Sequence, residues 1–246
     1  MESDNKGEFN MEKRDLLYEG KAKILYLTED TDLLIQMFKD ELTAFNGTKK
    51  GSFDGKGEIC NAISTYLFEY LENYHVLTHF VSKSTDTEMV VKRLEMIPIE
   101  IVVRNIATAN LSKTYNLAEG DVLQYPIIEY FLKDDQLGDP MINEHHAYAM
   151  GYATPEEMRM ISRVASKVNA IFKSFFDRRG LLLVDFKLEF GKLAKNLLIG
   201  DEITPDTCRI WDKKTNKKMD KDRFRYDMGQ VDKVYNELKD RILSAG

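Results

Sequence analysis

The stretch VDFKLEFG, residues 184–191, spaces Asp185, Lys187 and Glu189 two positions apart. On a strand these three share one face, and Val184, Phe186, Leu188 and Phe190 share the other. An acid, a base and an acid on one face can hold a cation beside a phosphate. They can equally face water on a half-exposed strand. If the chain turns back near Leu193, a hairpin sets Asp201 opposite Asp185, and three carboxylates crowd one lysine. Like charges so close are costly unless a cation lies between them. Oxygen ligands of this kind suit Mg2+, which takes one or two carboxylates and completes its shell with water and phosphate. The pairing depends on register, because a slip of one residue turns Asp201 to the other face.

A second stretch, YEGKAKILY at 18–26, places Gly20 near a bend and sets Lys21 and Lys23 on one face. Backbone N–H groups of such a turn and the following ammonium groups can cover phosphates. A plain hairpin with surface lysines has the same pattern. The full G-x-x-x-x-G-K-[ST] phosphate loop is absent.

These residues need elements to position them. LLYEGKAKILYL (16–27), DLLIQMF (32–38), MVVKRL (89–94) and IEIVVRN (99–105) read as short strands. EMIP (95–98) reads as a connector, since Pro98 fits poorly inside a central strand. Residues 57–74 carry apolar side chains at helical spacing. Residues 154–180 predict a longer helix, with Thr154 as cap, Pro155 at the first turn, Glu157 completing a capping box and Gly180 as the stop. Residues 198–206 read as a return strand, and a last helix runs from about Gly229 to Leu243. Strands first, then strands mixed with long helices, predict an α+β protein of two lobes. The expected division is a loose tail over 1–15, a small antiparallel-sheet lobe over 16–96 and a larger α/β lobe over 97–246.

Composition narrows the class. The 246 residues are 43% hydrophobic and 31% charged with net charge −6, an ordinary globular balance that speaks against nucleic acid. No apolar run approaches the ~20 residues of a membrane helix. The polar, acidic start lacks a signal-peptide core, so a cytoplasmic protein is expected, with no membrane partner. Two cysteines make no disulfide framework; Cys60 reads as core, and nothing requires a thiol at Cys208. His145 and His146 fall in an expected loop, and adjacent histidines do not easily converge on one ion.

Taken in order, YEGKAK, GSFDGKGEICN, SDTEMVVKRLEMIPIEIVVRN, DDQLGDPMINE, LLLVDFKLEFG, GDEITPDTCRIWD and KMDKDRFR resemble the SAICAR synthetase family over about Leu17 to Leu243. IPIEIVVRN and VDFKLEFG are the most diagnostic. The resemblance implies a kinase-like two-lobed fold. It also implies an ATP-dependent ligation of carboxyaminoimidazole ribonucleotide to L-aspartate, through an acyl phosphate, in a homo-oligomer. It implies ATP and Mg2+ as cofactors, with Glu189 and Asp201 as metal ligands. Gly20, Lys21, Ala22 and Lys23 would cover the phosphates, and the backbone from Arg93 to Met96 would read adenine. Lys187 would touch phosphate or the incoming carboxylate, and Asp185 would hold Lys187 or a metal-bound water. Asp139 would orient the imidazole's amino group or a second metal.

On the substrate side, Arg104 and Arg209 match phosphate-binding arginines, whose planar fork suits such a group. An Arg104–Glu100 pair on one strand face would account for Arg104 equally well. Lys221 and Arg225 lie in DKKTNKKMDKDRFRYD (212–227), a run that would ordinarily be solvated; the match makes them candidates for substrate contact. One departure stands out. Where the family has threonine or alanine, then glycine, then serine, this chain has Thr108, Ala109 and Asn110. Losing the glycine restricts a turn that needs positive φ, while Asn110 can still donate to phosphate. Two rival readings are a small-molecule kinase of the same architecture and a nucleotide-sensing module without turnover.

Overall fold

The structure is a computed structural model that describes residues 11–45 and 47–244. The first ten positions of the expected tail and the side chain of Asn110 lie outside the described residues. At the tail's end, the amide of Arg14 donates to the Leu27 carbonyl and that of Leu27 to the Asp15 carbonyl. In chain order the strands are β1 (Leu16–Glu19), β2 (Lys23–Leu27), β3 (Leu33–Phe38), β4 (Glu41–Ala44), β5 (Lys49–Ser52), β6 (Phe80–Lys83), β7 (Glu88–Lys92), β8 (Glu95–Ile106), β9 (Val122–Leu132), β10 (Met141–Ile142), β11 (Leu181–Leu193), β12 (Asn196–Gly200) and β13 (Cys208–Asp212). The helices are α1 (Lys56–Asn73), α2 (Ala109–Tyr115), α3 (Glu144–Ala149), α4 (Pro155–Arg178), α5 (Asp222–Arg225) and α6 (Val231–Leu243).

The fold is α+β with antiparallel sheets. One sheet runs β1-β2-β3-β7-β6, and a second runs β10-β9-β8-β11-β12, with β13 also on β11. The short β4–β5 hairpin stands apart as its own sheet. β11 serves two partners because it is long: β12 pairs with Glu189 to Leu193, and β13 with Leu181 to Phe186. Its apolar face is covered by α4. Phe186 lies edge-on to Phe172 at 5.8 Å, and Met158, Ile161, Ala165, Val168, Phe175 and Phe176 extend the same buried stripe. Each fully buried side chain of this size contributes on the order of 1.5–3 kcal/mol. That packing fixes which face of β11 is turned away from the core. The start of α4 is as expected: the Thr154 hydroxyl accepts from the Glu157 amide and the Glu157 carboxylate from the Thr154 amide, with Pro155 in the first turn.

Two local expectations give way. Residues 95–98 are the opening of β8 and not a connector. Pro98 is accommodated where the β8–β11 register shifts, between Glu189 and Gly191, so its missing N–H interrupts no regular ladder; its carbonyl still accepts from the Lys133 amide. His145 and His146 lie in α3 rather than in a loop, and His146 closes a capping box with Asn143. The pairs and hairpin at β4, β5, β9, β10 and β13 carry weaker patterns and were not expected from periodicity.

Ala109 opens α2 with φ +49, the left-handed region that glycine adopts freely. The position therefore does require the conformation that the sequence departure makes costly. A non-glycine residue there is strained by about 1–2 kcal/mol, partly offset by glycine's greater freedom when unfolded. Ala109→Gly is expected to raise stability by about 0.5–1 kcal/mol, or about 2–3 °C in Tm for a domain of this size. A thermal melt in which Ala109→Gly unfolds at or below the parent's Tm would contradict this account.

Candidate active site

The charged face of β11 looks into a cleft of about 1150 Å³ lined by both sheets and by the β4–β5 hairpin. Lys187 is its centre. Its ammonium lies 2.6 Å from Glu189, 3.0 Å from Glu100 and 3.2 Å from Asp201. Burial alone would lower the pKa of Lys187; Asp201, Glu189 and Glu100 reverse that and hold it well above the ordinary lysine value. Lys23 reaches in from β2 to bond Asp201, with Glu202 at 3.8 Å. Its pKa too is raised against the effect of burial, by Asp201, Glu202 and Glu189. Burial would raise the Asp201 carboxyl, but Lys187 and Lys23 drive it far below the usual range. Lys133, on the loop after β9, closes the cluster at 2.5 Å from Glu189.

The route by which Asp201 arrives differs from the expected one. The β11–β12 turn centres on Ala194 and Lys195, so Glu189 faces Gly200 and the ladder ends there. Asp201 is thus not opposite Asp185. It enters the cluster just beyond β12, with φ +63, beside Glu189. Asp185 pairs across to Arg104 on β8 and Arg209 on β13. Both guanidinium groups donate to Asp185 Oδ2, at 3.0 and 2.9 Å. Asp185 therefore holds two arginines and not Lys187. The β11 register with β13 shifts at Leu183 to Asp185, which aims Asp185 between them.

Arg104 also donates from Nε to Glu129 at 2.7 Å, and Arg209 from Nε to Asp222 at 3.0 Å. The Arg104–Glu100 pair is not formed, since Glu100 meets Lys187. Each guanidinium is fixed at Nε and Nη1, which leaves Nη2 without a hydrogen-bond acceptor among the described residues. Arg225 bonds Asp222 at 2.7 Å, and Lys221 lies 3.7 Å from Asp206. The 212–227 run is not simply solvated: Asp220, Lys221, Asp222 and Arg223 are buried. Burial and the neighbouring Asp222 push the Asp220 carboxyl up to about 7.

Gly20, Lys21, Ala22 and Lys23 line one wall of the cleft, and Asp139 lines the opposite one. Lys21 spans the mouth to Asp135 at 2.6 Å. Asp139 has φ +51, and its carboxylate accepts from the Asp134 amide at 3.0 Å, tightening that loop. Arg93 and Met96 lie outside the lining. Met96 instead packs against Gly191 and Gly200, where any Cβ would approach its sulfur within 3.3 Å.

Several site residues gave no sequence signal. Lys133 sits in an irregular loop, and Glu129 and Glu202 lack spacing to a partner. Lys56 follows Gly55 as the first residue of α1, yet it is fully buried and bonds Asp206 at 2.9 Å. Asp206 also accepts from the Tyr235 hydroxyl at 2.7 Å, tying α6 to the cleft floor. Burial would raise the Asp206 carboxyl, but Lys221 and Lys56 bring it well below the usual range. His79 lies behind Asp201 with neither ring nitrogen bonded, and burial pushes it down to about 3.

Glu189 and Asp201 are hard oxygen donors that converge on one ammonium, a donor set that fits Mg2+. Among the described residues no group of three His, Cys, Asp or Glu side chains could hold a metal alone. An ion here would need phosphate or water to complete its shell.

The family model for SAICAR synthetase matches residues 16–242. The phosphoribosylaminoimidazole-succinocarboxamide synthase of Chlorobium limicola is 54% identical over 233 residues, which cover 95% of this chain and 99% of that protein. The crystal structure of the synthase from Ehrlichia chaffeensis superposes with TM-score 0.92 at 42% identity, covering 94% of this chain and all of that one. A SAICAR synthetase solved in complex with ADP gives TM-score 0.90 at 44% identity, over 93% and 97% of the two chains.

Removing one member of the Lys56–Asp206 pair leaves a buried charge without its partner. Lys56→Met is expected to cost about 3–5 kcal/mol in urea unfolding. A loss below about 1 kcal/mol would mean that Lys221 and Tyr235 suffice to hold Asp206.

Proposed function

Because this chain belongs to the SAICAR synthetase family, and is a carbon–nitrogen ligase of purine biosynthesis, we propose how its cleft divides the work between ATP, carboxyaminoimidazole ribonucleotide and L-aspartate. The observation that carries the proposal is the meeting of Lys187, Glu189 and Asp201 at one wall of the cleft. A carboxylate is a poor acylating group because oxide would have to leave. In the proposed sequence a carboxylate oxygen of the imidazole attacks the γ-phosphorus and ADP departs. The aspartate amine then attacks the acyl carbon, phosphate departs, and the nitrogen loses a proton.

Mg2+, when bound, would supply positive charge against the triphosphate. Glu189 and Asp201 are its proposed ligands. Lys23 and the turn at Gly20, Lys21 and Ala22 lie over the phosphates. Lys187 is placed between the two anions that must approach each other, where an ammonium lowers their repulsion. The free Nη2 donors of Arg104 and Arg209 face the ribonucleotide phosphate, and Asp185 keeps the two forks fixed. Asn110, Lys221 and Arg225 complete the substrate contacts, Asp139 orients the imidazole's amino group, and the Arg93–Met96 backbone reads adenine. The ADP complex of the 44%-identical relative supports the nucleotide assignment.

The remaining parts of the reading are coarser. A nucleotide-covering lobe over 16–96 and a catalytic lobe over 97–246 are supported by the change of sheet between Lys92 and Glu95. A cytoplasmic location is supported by two free, buried cysteines; no described helix is long and apolar enough to cross a membrane. The kinase alternative is not favoured, since the relatives matching over nearly their full length are named as synthases.

The test is a coupled assay in which ATP, aspartate or the imidazole ribonucleotide is left out in turn, with mass spectrometry of the product. ADP formation at full rate without aspartate would favour a kinase instead. Glu189→Gln and Asp201→Asn should each lower kcat by about a hundredfold or more. Arg104→Lys should raise the KM for the ribonucleotide about tenfold with a smaller change in kcat, since one ammonium cannot replace the fork. Near-normal kinetics in all three variants would refute the assignment.

A further inference from the structure

Gln36 occupies the middle of β3, paired on one side with Leu25 of β2 and on the other with Met89 of β7. It is 1% exposed, in a strand otherwise made of Leu33, Leu34, Ile35, Met37 and Phe38. A buried amide in such a place is unfavourable unless its N–H groups find acceptors. Its Nε2 lies 3.9 Å from the Met89 sulfur, a weak acceptor, and 3.3 Å from the backbone carbonyl of Asp201. The second contact crosses from the first sheet to the chain just beyond β12.

Asp201 has reason to need a fixed carbonyl. Its φ of +63 lies in the left-handed region, which aspartate visits more readily than most side-chain-bearing residues but still at a cost relative to glycine. Such a conformation persists only where its surroundings over-determine it. Lys23 and Gln36 sit on the same face of the first sheet, since Lys23 pairs with Phe38 and Leu25 with Gln36. From that face Lys23 grips the Asp201 carboxylate and Gln36 its backbone. Two residues earlier, the amide of Ile199 donates to the Leu77 carbonyl at 3.0 Å, and the amide of His79 to the Ile199 carbonyl at 2.8 Å. The chain is thus fastened on both sides of Gly200, at Ile199 by residues 77–79 leading into β6 and at Asp201 by Lys23 and Gln36 of the first sheet.

We propose that Gln36 is a positioning residue that holds Asp201 in its left-handed conformation and so keeps its carboxylate beside Glu189. Gln36 reaches the chemistry only through Asp201. The inference rests on Asp201 being a ligand of the nucleotide-bound Mg2+.

The experiment measures ADP binding by calorimetry with and without Mg2+ and compares the gain in affinity that Mg2+ confers. Gln36→Met keeps the length of the side chain and removes the donor. It is expected to shrink the Mg2+-dependent gain about fivefold, the scale of one hydrogen bond, while Mg2+-free ADP binding stays within twofold. Should that variant not fold, Gln36→Asn, which withdraws the amide by one carbon, gives the same readout. Asp201→Asn is measured alone and combined with the Gln36 change. If Gln36 acts through Asp201, its substitution adds less than a twofold effect in the Asp201→Asn background. An unchanged Mg2+ gain in the Gln36 variant, even with a lower Tm, overturns the positioning role and leaves a packing role. An unchanged gain in Asp201→Asn alone overturns the ligand assignment instead.

Discussion

The arrangement depends on one ammonium, that of Lys187, held half-buried among three carboxylates in the wall of the cleft. Glu100, Glu189 and Asp201 come from three different stretches of chain: β8, β11 and the exit of β12. Taking any one of these charges out of water is expensive, and only close opposite charges offset the cost. The fold therefore has to deliver all of them together. β11 does this by packing its apolar face on α4, which forces the alternate residues outward, and by pairing with β8 on one edge and with β12 and β13 on the other.

A second consequence concerns the positive groups. Each cation proposed to meet a phosphate already has a protein carboxylate: Lys21 has Asp135, Lys23 has Asp201, Arg104 has Asp185 and Glu129, and Arg209 has Asp185 and Asp222. For the arginines the pairing is orientation, because two acceptors fix a planar fork and leave further donors directed elsewhere. For Lys23 and Lys187 the pairing is competition. A divalent ion on Glu189 and Asp201 would draw on the same oxygens that now satisfy the two ammonium groups. On the proposed assignment, an ion on Glu189 and Asp201 would release the two ammonium groups toward a bound phosphate.

Much of this was legible from the chain, because strand alternation is a strict period. Asp185, Lys187 and Glu189 share a face as the spacing requires, and the helix beginning at Thr154 starts with the capping box its residues spell out. The left-handed turn at Ala109 was legible too, through the glycine that the resembling family has there. Pairing register was not legible. The β11–β12 turn falls at Ala194 and Lys195, which moves Asp201 off the ladder altogether, and no local preference in GKLAKN fixes that position. Nor could spacing reveal that Asp185 serves two arginines, since Arg209 lies on a strand paired to the other half of β11. Lys133, Lys56 and Gln36 belong to the same class: their meaning lies wholly in partners far along the chain.

The contacts that join the two sheets around the cleft differ greatly in strength, and that difference says where the cleft can open. At the mouth, Lys21 and Asp135 are about half and two-thirds exposed, and an exposed pair of this kind is worth less than about 1 kcal/mol. At the floor, Lys23 meets Asp201 in a buried setting, Gln36 bonds the carbonyl of the same residue, and the Ile199 backbone is fastened on both sides. Parting the floor would expose unpaired buried charge and orphan backbone groups at once. Parting the mouth exposes groups that are already wet. Separation at the Lys21–Asp135 edge, with Asp201 as the fixed end, is thus the opening with the smaller cost, and it keeps the proposed metal ligands in register while the turn at Gly20 to Lys23 moves.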